Sequence, residues 1–341
     1  MAPFMIGISA DTDADRKLLK EAGIRWMRVD FPFPFEDRLN GKLSAKYLET
    51  KTQVQSLVSD GIGVMGITPL FGYGNWEPGP DGELRLTWHG RTPSYMGTLG
   101  TEPFNRNYFE LCKFLARDLR GIVGIWQILN ELEIPQFAGP LDLRQASDLI
   151  LWCARGYKEI DPSLQLGANP AGEIKAYYLY GYLYRNGDPL DYCGADGYYG
   201  TWHPGGAETW DARIPELHAM TGKKVLLNEW GFSSVGAVMS REEHETGKHV
   251  CALKKWHYGW GSGHNPQGQA DFVATVFDII RKHREILLGS FFYRWNDQPV
   301  CAQCHQPDCP AETGWGIVDV SYKPKPAYQA FKEGVRRLGL L

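Results

Sequence analysis

Nowhere does the 341-residue chain hold the roughly 18–20 consecutive apolar residues that a bilayer-spanning helix needs. An excess of one charge is missing too. Its 36 Lys+Arg and 40 Asp+Glu are intermixed and leave a net charge of −4, so neither a nucleic-acid stripe nor a basic membrane patch is expected. Repeats, linkers and low-complexity segments are absent, which predicts one domain over residues 1–341. The start, Met1-Ala-Pro-Phe-Met-Ile-Gly, lacks the basic stretch of a secretory signal. The expectation is a cytoplasmic protein, or a secreted one if a signal peptide has been removed. Cysteine is sparse, at seven residues. Cys112, Cys153, Cys193 and Cys251 fall in segments that read as helix or strand; small buried thiols explain them best and favour a reducing compartment. Aromatic residues, by contrast, are plentiful, with 12 Trp and 17 Tyr. Sugar rings stack their C–H faces on such planes.

Apolar runs and helical periodicities alternate along the chain. Strands are expected at Phe4–Ser9, Ile24–Val29, Ile62–Thr68, Ile122–Leu129, Leu164–Ala168, Tyr192–Tyr199, Lys224–Leu227 and Leu287–Arg294. Helices are expected at Asp13–Ala22, at Ser44–Ser59, around Tyr108–Leu115, and at Leu143–Ile160, Glu173–Tyr184, Ala212–Thr221 and Ala270–Arg284, with a last one opening at Pro326. Eight strands separated by helices imply a parallel sheet, and eight units match barrel closure. An open doubly wound sheet usually has a Gly-rich phosphate turn after its first strand, and Gly7-Ile8-Ser9-Ala10-Asp11 is not one. The expected fold is a single α/β (β/α)8 TIM barrel with long loops after strands 3, 7 and 8.

One dipeptide closes two of these strands. Strand four ends Ile128-Leu129-Asn130-Glu131 and strand seven ends Leu227-Asn228-Glu229-Trp230. The C-terminal strand ends of a (β/α)8 barrel face its active site, so both carboxylates would meet in one pocket. Two carboxyls flanking a glycosidic bond can cleave it: one protonated, to give its proton to the leaving oxygen, and one ionised, to attack the anomeric carbon.

In these motifs and in strand order the chain resembles clan A of the glycoside hydrolases, the retaining (β/α)8 β-glycosidases. The resemblance spans nearly the whole chain without fixing a family. It implies Glu131 as general acid/base and Glu229 as nucleophile. It further implies that Asn130 hydrogen-bonds the sugar 2-hydroxyl, that Arg28 keeps the nucleophile ionised, and that a tyrosine at the end of strand six, Tyr199 rather than Tyr198, bonds the nucleophile. Trp295, ending strand eight, would lie under the bound sugar, and Trp202 would bind substrate from the loop after strand six. The tail Gly314-Trp315-Gly316-Ile317-Val318-Asp319 also resembles the clan's C-terminal end. Trp126, mid-strand, reads as core.

The clan mechanism requires no cofactor. The loop after strand eight departs from the pattern with Cys301-Ala-Gln-Cys304-His305-Gln-Pro-Asp-Cys309. Three Cys and a His so close together could bind structural zinc, form a disulfide, or remain free thiols. The expected activity is hydrolysis of a β-linked oligo- or polysaccharide or glycoside by double displacement. The alternatives are a transglycosidase using the same residues and a catalytically silent carbohydrate-binding barrel. A metal-dependent hydrolase would need His ligands at strand ends, and no His-x-His follows strand one. Tyr73, Trp76, Trp88 and His89, with Trp202 and the Trp256–Trp260 loop, could line a cleft or close a pocket; which sugar is cut, and whether internally or from an end, is open.

Overall fold

The computed structural model describes residues 4–171, 174–185 and 188–341. Met1 to Pro3, and Glu173 at the start of the fifth expected helix, lie outside the described residues. Eight parallel strands form the central sheet: β1 Met5–Ser9, β2 Trp26–Asp30, β3 Gly63–Ile67, β4 Ile125–Gln127, β5 Gln165–Gly167, β6 Cys193–Gly197, β7 Val225–Trp230 and β8 Leu287–Phe292. Their order is β5-β4-β3-β2-β1-β8-β7-β6. The outermost two, β5 and β6, are consecutive in sequence, as barrel closure requires. Asp191 N donates to Leu166 O at 2.8 Å and Asp196 N to Pro170 O at 3.3 Å, which joins these edges. Gly194 makes that approach possible: a Cβ there would sit 2.3 Å from the Ala168 carbonyl oxygen. The sheet is a (β/α)8 barrel.

Helices return the chain from strand to strand. They include α1 Arg16–Glu21, α2 Ala45–Ser59, α3 Glu102–Asp118, α4 Leu143–Ile160, α5 Ile174–Leu183, α6 Thr209–Thr221, α7 Pro266–Lys282 and α8 Pro326–Arg337. Local chemistry sets their starts. The Ser44 side chain accepts from Tyr47 N at α2, and Asp142 with Gln145 forms a capping box at α4. Their apolar faces pack on the outside of the barrel with Trp126, Tyr157, Trp210 and Trp230, all fully buried.

The barrel interior is layered. Met5, Met65, Ile125, Tyr192, Leu226 and Phe291 form an apolar plug. Nearer the C-terminal rim the filling turns polar: Asn228 Nδ2 contacts the Met65 sulfur at 3.8 Å below and donates to Gln127 Oε1 at 2.9 Å. The network thus partners the Asn228 amino group and the Gln127 amide, while Asn228 Oδ1 meets no donor among the described residues. The long loop after β3 is not featureless. It holds an antiparallel hairpin, Gly72–Pro78 with Leu84–Gly90. The loop after β7 carries two short helices, Arg241–Glu245 and Val250–Leu253.

Candidate active site

Arg28, on β2, organises the polar layer. Its Nη2 lies 2.5 Å from Glu229 Oε1 and donates to Asn130 Oδ1 at 2.7 Å, while its Nε donates to Gln127 Oε1 at 2.8 Å. The ion-pair partner is thus Glu229, not the neighbouring Asp30. Burial opposes the Arg28 charge, but Glu229, Asp196 and Asp30 outweigh it and raise its pKa. The other Glu229 oxygen, Oε2, accepts the hydroxyl of Tyr198. Both nucleophile-candidate oxygens are therefore held, and the residue is 7% exposed.

Asn130 Oδ1 receives three donors: Arg28 Nη2, Gln127 Nε2 at 3.1 Å and Asn169 Nδ2 at 2.9 Å. That convergence fixes which end of the amide is oxygen. Its amino end is left directed at Glu131 Oε2, 3.3 Å away. The backbone here is strained. Leu129 has φ 60° and Glu131 φ 44°, left-handed values that cost non-glycine residues on the order of 1–3 kcal/mol each.

Glu131 is as enclosed as Glu229, yet in a different field. Its pKa is pushed well up by burial first, then by the charges of Glu229 and Glu133. Asp196, at the end of β6, is also raised, by burial and then by Glu229 and Glu131. The Asp196 and Glu131 carboxyls are hydrogen-bond neighbours, and Asp196 Oδ1 meets no donor among the described residues. Both carboxyls are thus biased toward the protonated form, whereas Glu229 faces a cation.

Of the predicted residues, Arg28, Asn130, Glu131 and Glu229 converge. Tyr199 does not join them: the hydroxyl on Glu229 belongs to Tyr198, while the Tyr199 ring packs edge-on against Trp210 at 5.2 Å. Trp295 is fully enclosed, its ring 6.2 Å from Tyr328 of α8, so it offers no open face to a sugar. The aromatic residue after β8 that neighbours the site is Tyr293, packed edge-on to Tyr198 at 5.9 Å. Trp202 is half-buried and stacks near His249, at 5.3 Å. His249 in turn stacks on Trp76 of the hairpin at 3.9 Å. Trp76, His249 and Trp202 thus form one aromatic pile shared by three loops. Tyr73, also on the hairpin, lies within electrostatic reach of Glu312 and Glu131. Gln127, Asn169, Asp196, Tyr198 and Tyr293 carry no local motif; only their positions at strand ends could have flagged them. His305 is exposed and stands apart from the sulfur cluster that includes Cys301.

Among the described residues, no helix is long and apolar enough to cross a membrane. No family model matches the chain. A curated "Beta-xylosidase" of Caldicellulosiruptor saccharolyticus is 22% identical over 255 residues, 70% of this chain and 48% of that protein. The chain thus spans about half the length of that relative. Among solved structures, a Thermobacillus composti GH10 xylanase superposes with a TM-score of 0.66 at 17% identity, covering 97% of this chain and 96% of that one. An Ignisphaera aggregans GH53 catalytic domain gives 0.60 at 16% identity, covering 96% and 95%. The shared feature is the barrel, the fold of the clan that the two Asn-Glu strand ends resemble.

Proposed function

We propose that the protein is a retaining β-glycoside hydrolase in which Glu229 attacks the anomeric carbon and Glu131 protonates the leaving oxygen. The observation that carries this is the unequal treatment of two buried carboxyls on one barrel rim. Glu229 is ion-paired to Arg28 and bonded by Tyr198, while Glu131 is held proton-rich by burial and by neighbouring acids. That is the division of labour double displacement needs.

In the first step, Glu229 Oε bonds to the anomeric carbon as the glycosidic C–O bond breaks. The proton of Glu131 goes to the departing oxygen. In the second step, Glu131, now a carboxylate, takes a proton from water, and the water oxygen displaces Glu229. Asn130 is positioned to donate its amide N–H to a substrate hydroxyl, because three donors already occupy its oxygen. Arg28 and Tyr198 hold Glu229 aligned throughout. The relatives' names, xylanase and β-xylosidase, support a β-linked carbohydrate substrate.

Proton NMR of the first-formed product on a cleaved β-glycoside tests the proposal. We expect the β-anomer to appear first and the α-anomer only through mutarotation. Initial α product would mean a water attacked directly, and Glu229 would not be the nucleophile.

A further inference from the structure

The cysteine loop after β8 takes no part in that chemistry. Cys301, Cys304 and Cys309 converge with Cys251, which comes from the short helix Val250–Leu253 in the loop after β7. All four sulfurs lie within 4.8 Å of one another. His305, the local candidate for a fourth ligand, is outside this group. All seven cysteines are free thiols.

Four thiolates around one zinc at a Zn–S distance of about 2.3 Å form a tetrahedron with edges of about 3.8 Å. The observed cluster is of that size, so small side-chain adjustments would close it. Its surroundings are already shaped. Cys301-Ala302-Gln303-Cys304 makes a tight knuckle, with Gln303 N donating to Cys301 Sγ at 3.4 Å, His305 N to Cys301 O at 2.8 Å and Cys301 N to Gln306 O at 3.0 Å. An N–H aimed at sulfur favours thiolate over thiol. Trp256, Trp315, Val250 and Ala311 pack around the sulfurs and keep water away.

We propose that Cys251, Cys301, Cys304 and Cys309 form a tetrathiolate site for one structural zinc ion. Binding converts four S–H groups to thiolates, releases four protons to solvent, and forms four Zn–S bonds without any change of oxidation state. With four protein ligands the shell is closed, so no position remains for a reactive water. The ion would tie together the loops that follow β7 and β8. Gln303, within the knuckle, donates its side-chain amide to Glu312 Oε1 at 2.7 Å, and Glu312 Oε2 accepts the Tyr293 hydroxyl at 2.8 Å. Gln303 O also accepts from Trp76 N at 2.9 Å, which pins the hairpin. The loops after β3, β7 and β8 thus share one anchor, whatever reaction the rim performs.

Metal analysis of the full chain, purified with reductant and desalted, should give about one zinc per chain. Cobalt exchanged into the wild-type protein should show intense sulfur-to-cobalt charge-transfer bands and the visible bands of a tetrahedral ion. Cys251→Ser and Cys304→Ser should lose the stoichiometric zinc, whereas His305→Ala should keep it. If those serine variants fail to fold, the wild-type cobalt spectrum still decides. Zinc well below stoichiometry, iron in its place, a cobalt spectrum without thiolate bands, or peptide mapping that finds two of these cysteines joined as a disulfide would each overturn the site.

Discussion

Tyr198 and Tyr199 differ by one position, and that position decides which phenol reaches Glu229. A one-residue slip sends a side chain to the opposite face of a strand. Just here the pairing of β6 with β7 slips: Ala195 pairs with Leu227, but Asp196 pairs with Glu229. Asn228 is the extra residue, and no sequence pattern announces such a bulge. Removing a hydrogen bond to a charged group costs about 1.5–3 kcal/mol, so Tyr198→Phe should lower kcat by about 10- to 100-fold. Tyr199→Phe should leave kcat nearly unchanged; steady-state kinetics of the two variants checks this. The carboxyls were legible for a different reason, since each Glu follows Asn at a strand end. Their unequal fields were legible only in part: the resemblance pointed to Arg28 beside Glu229, but Asp196 and Tyr198, from the end of β6 and just beyond it, carry no local motif. The raised Glu131 has a kinetic consequence. It must be protonated to act, so kcat/KM on unactivated substrates should fall as pH rises through its elevated pKa. On a substrate whose leaving group needs no protonation, the wild-type profile should lose that basic limb. A limb unchanged in position would assign it to another group.

At the scale of elements, the strands were readable because each is an apolar run bounded by polar turns, and α4 because its cap and its terminating Asp161-Pro162 are both local signals. The hairpin Gly72–Pro78/Leu84–Gly90 was not. Its strands mix glycine, charged and aromatic residues, and most of these are half-buried or exposed rather than core. The contact of β5 with β6 also left no trace beyond a glycine. Gly194→Ala would drive a Cβ into backbone, and overpacking of this kind costs about 1–3 kcal/mol. We expect its denaturation midpoint to fall, with the secondary structure intact by circular dichroism. A second element-level effect arises where the loop after β8 meets the rim. Burial pushes the Glu312 carboxyl up to about 7. Its folded pKa lies above its unfolded one, so its contribution is fully present below about pH 4.5 and is lost as pH rises through about 7. Glu312→Gln should remove a loss of stability on the order of 3 kcal/mol across that window. Urea melts of both proteins at pH 5 and pH 8 measure it: the gap between the two pH values should narrow in the variant. An unchanged gap would place the titration elsewhere.

Across the whole molecule, the barrel brings together side chains that the chain holds far apart. Arg28 from β2, Asn130 and Glu131 from the end of β4, Tyr198 from beyond β6 and Glu229 from β7 become one hydrogen-bonded set. The fold was legible from alternation alone, and its rim gave the two carboxyls a common address. Which carboxyl attacks is the central claim, and rescue by azide tests it most directly. With an activated β-glycoside, Glu131→Ala keeps its nucleophile, and azide, needing no base, should displace Glu229 to give the β-glycosyl azide. Glu229→Ala lacks the nucleophile, so azide should attack from the vacated space and give the α-glycosyl azide. Azides of opposite configuration from the two variants are the predicted result. The same anomer from both, or near-normal activity of either on an unactivated substrate, would contradict the assignment.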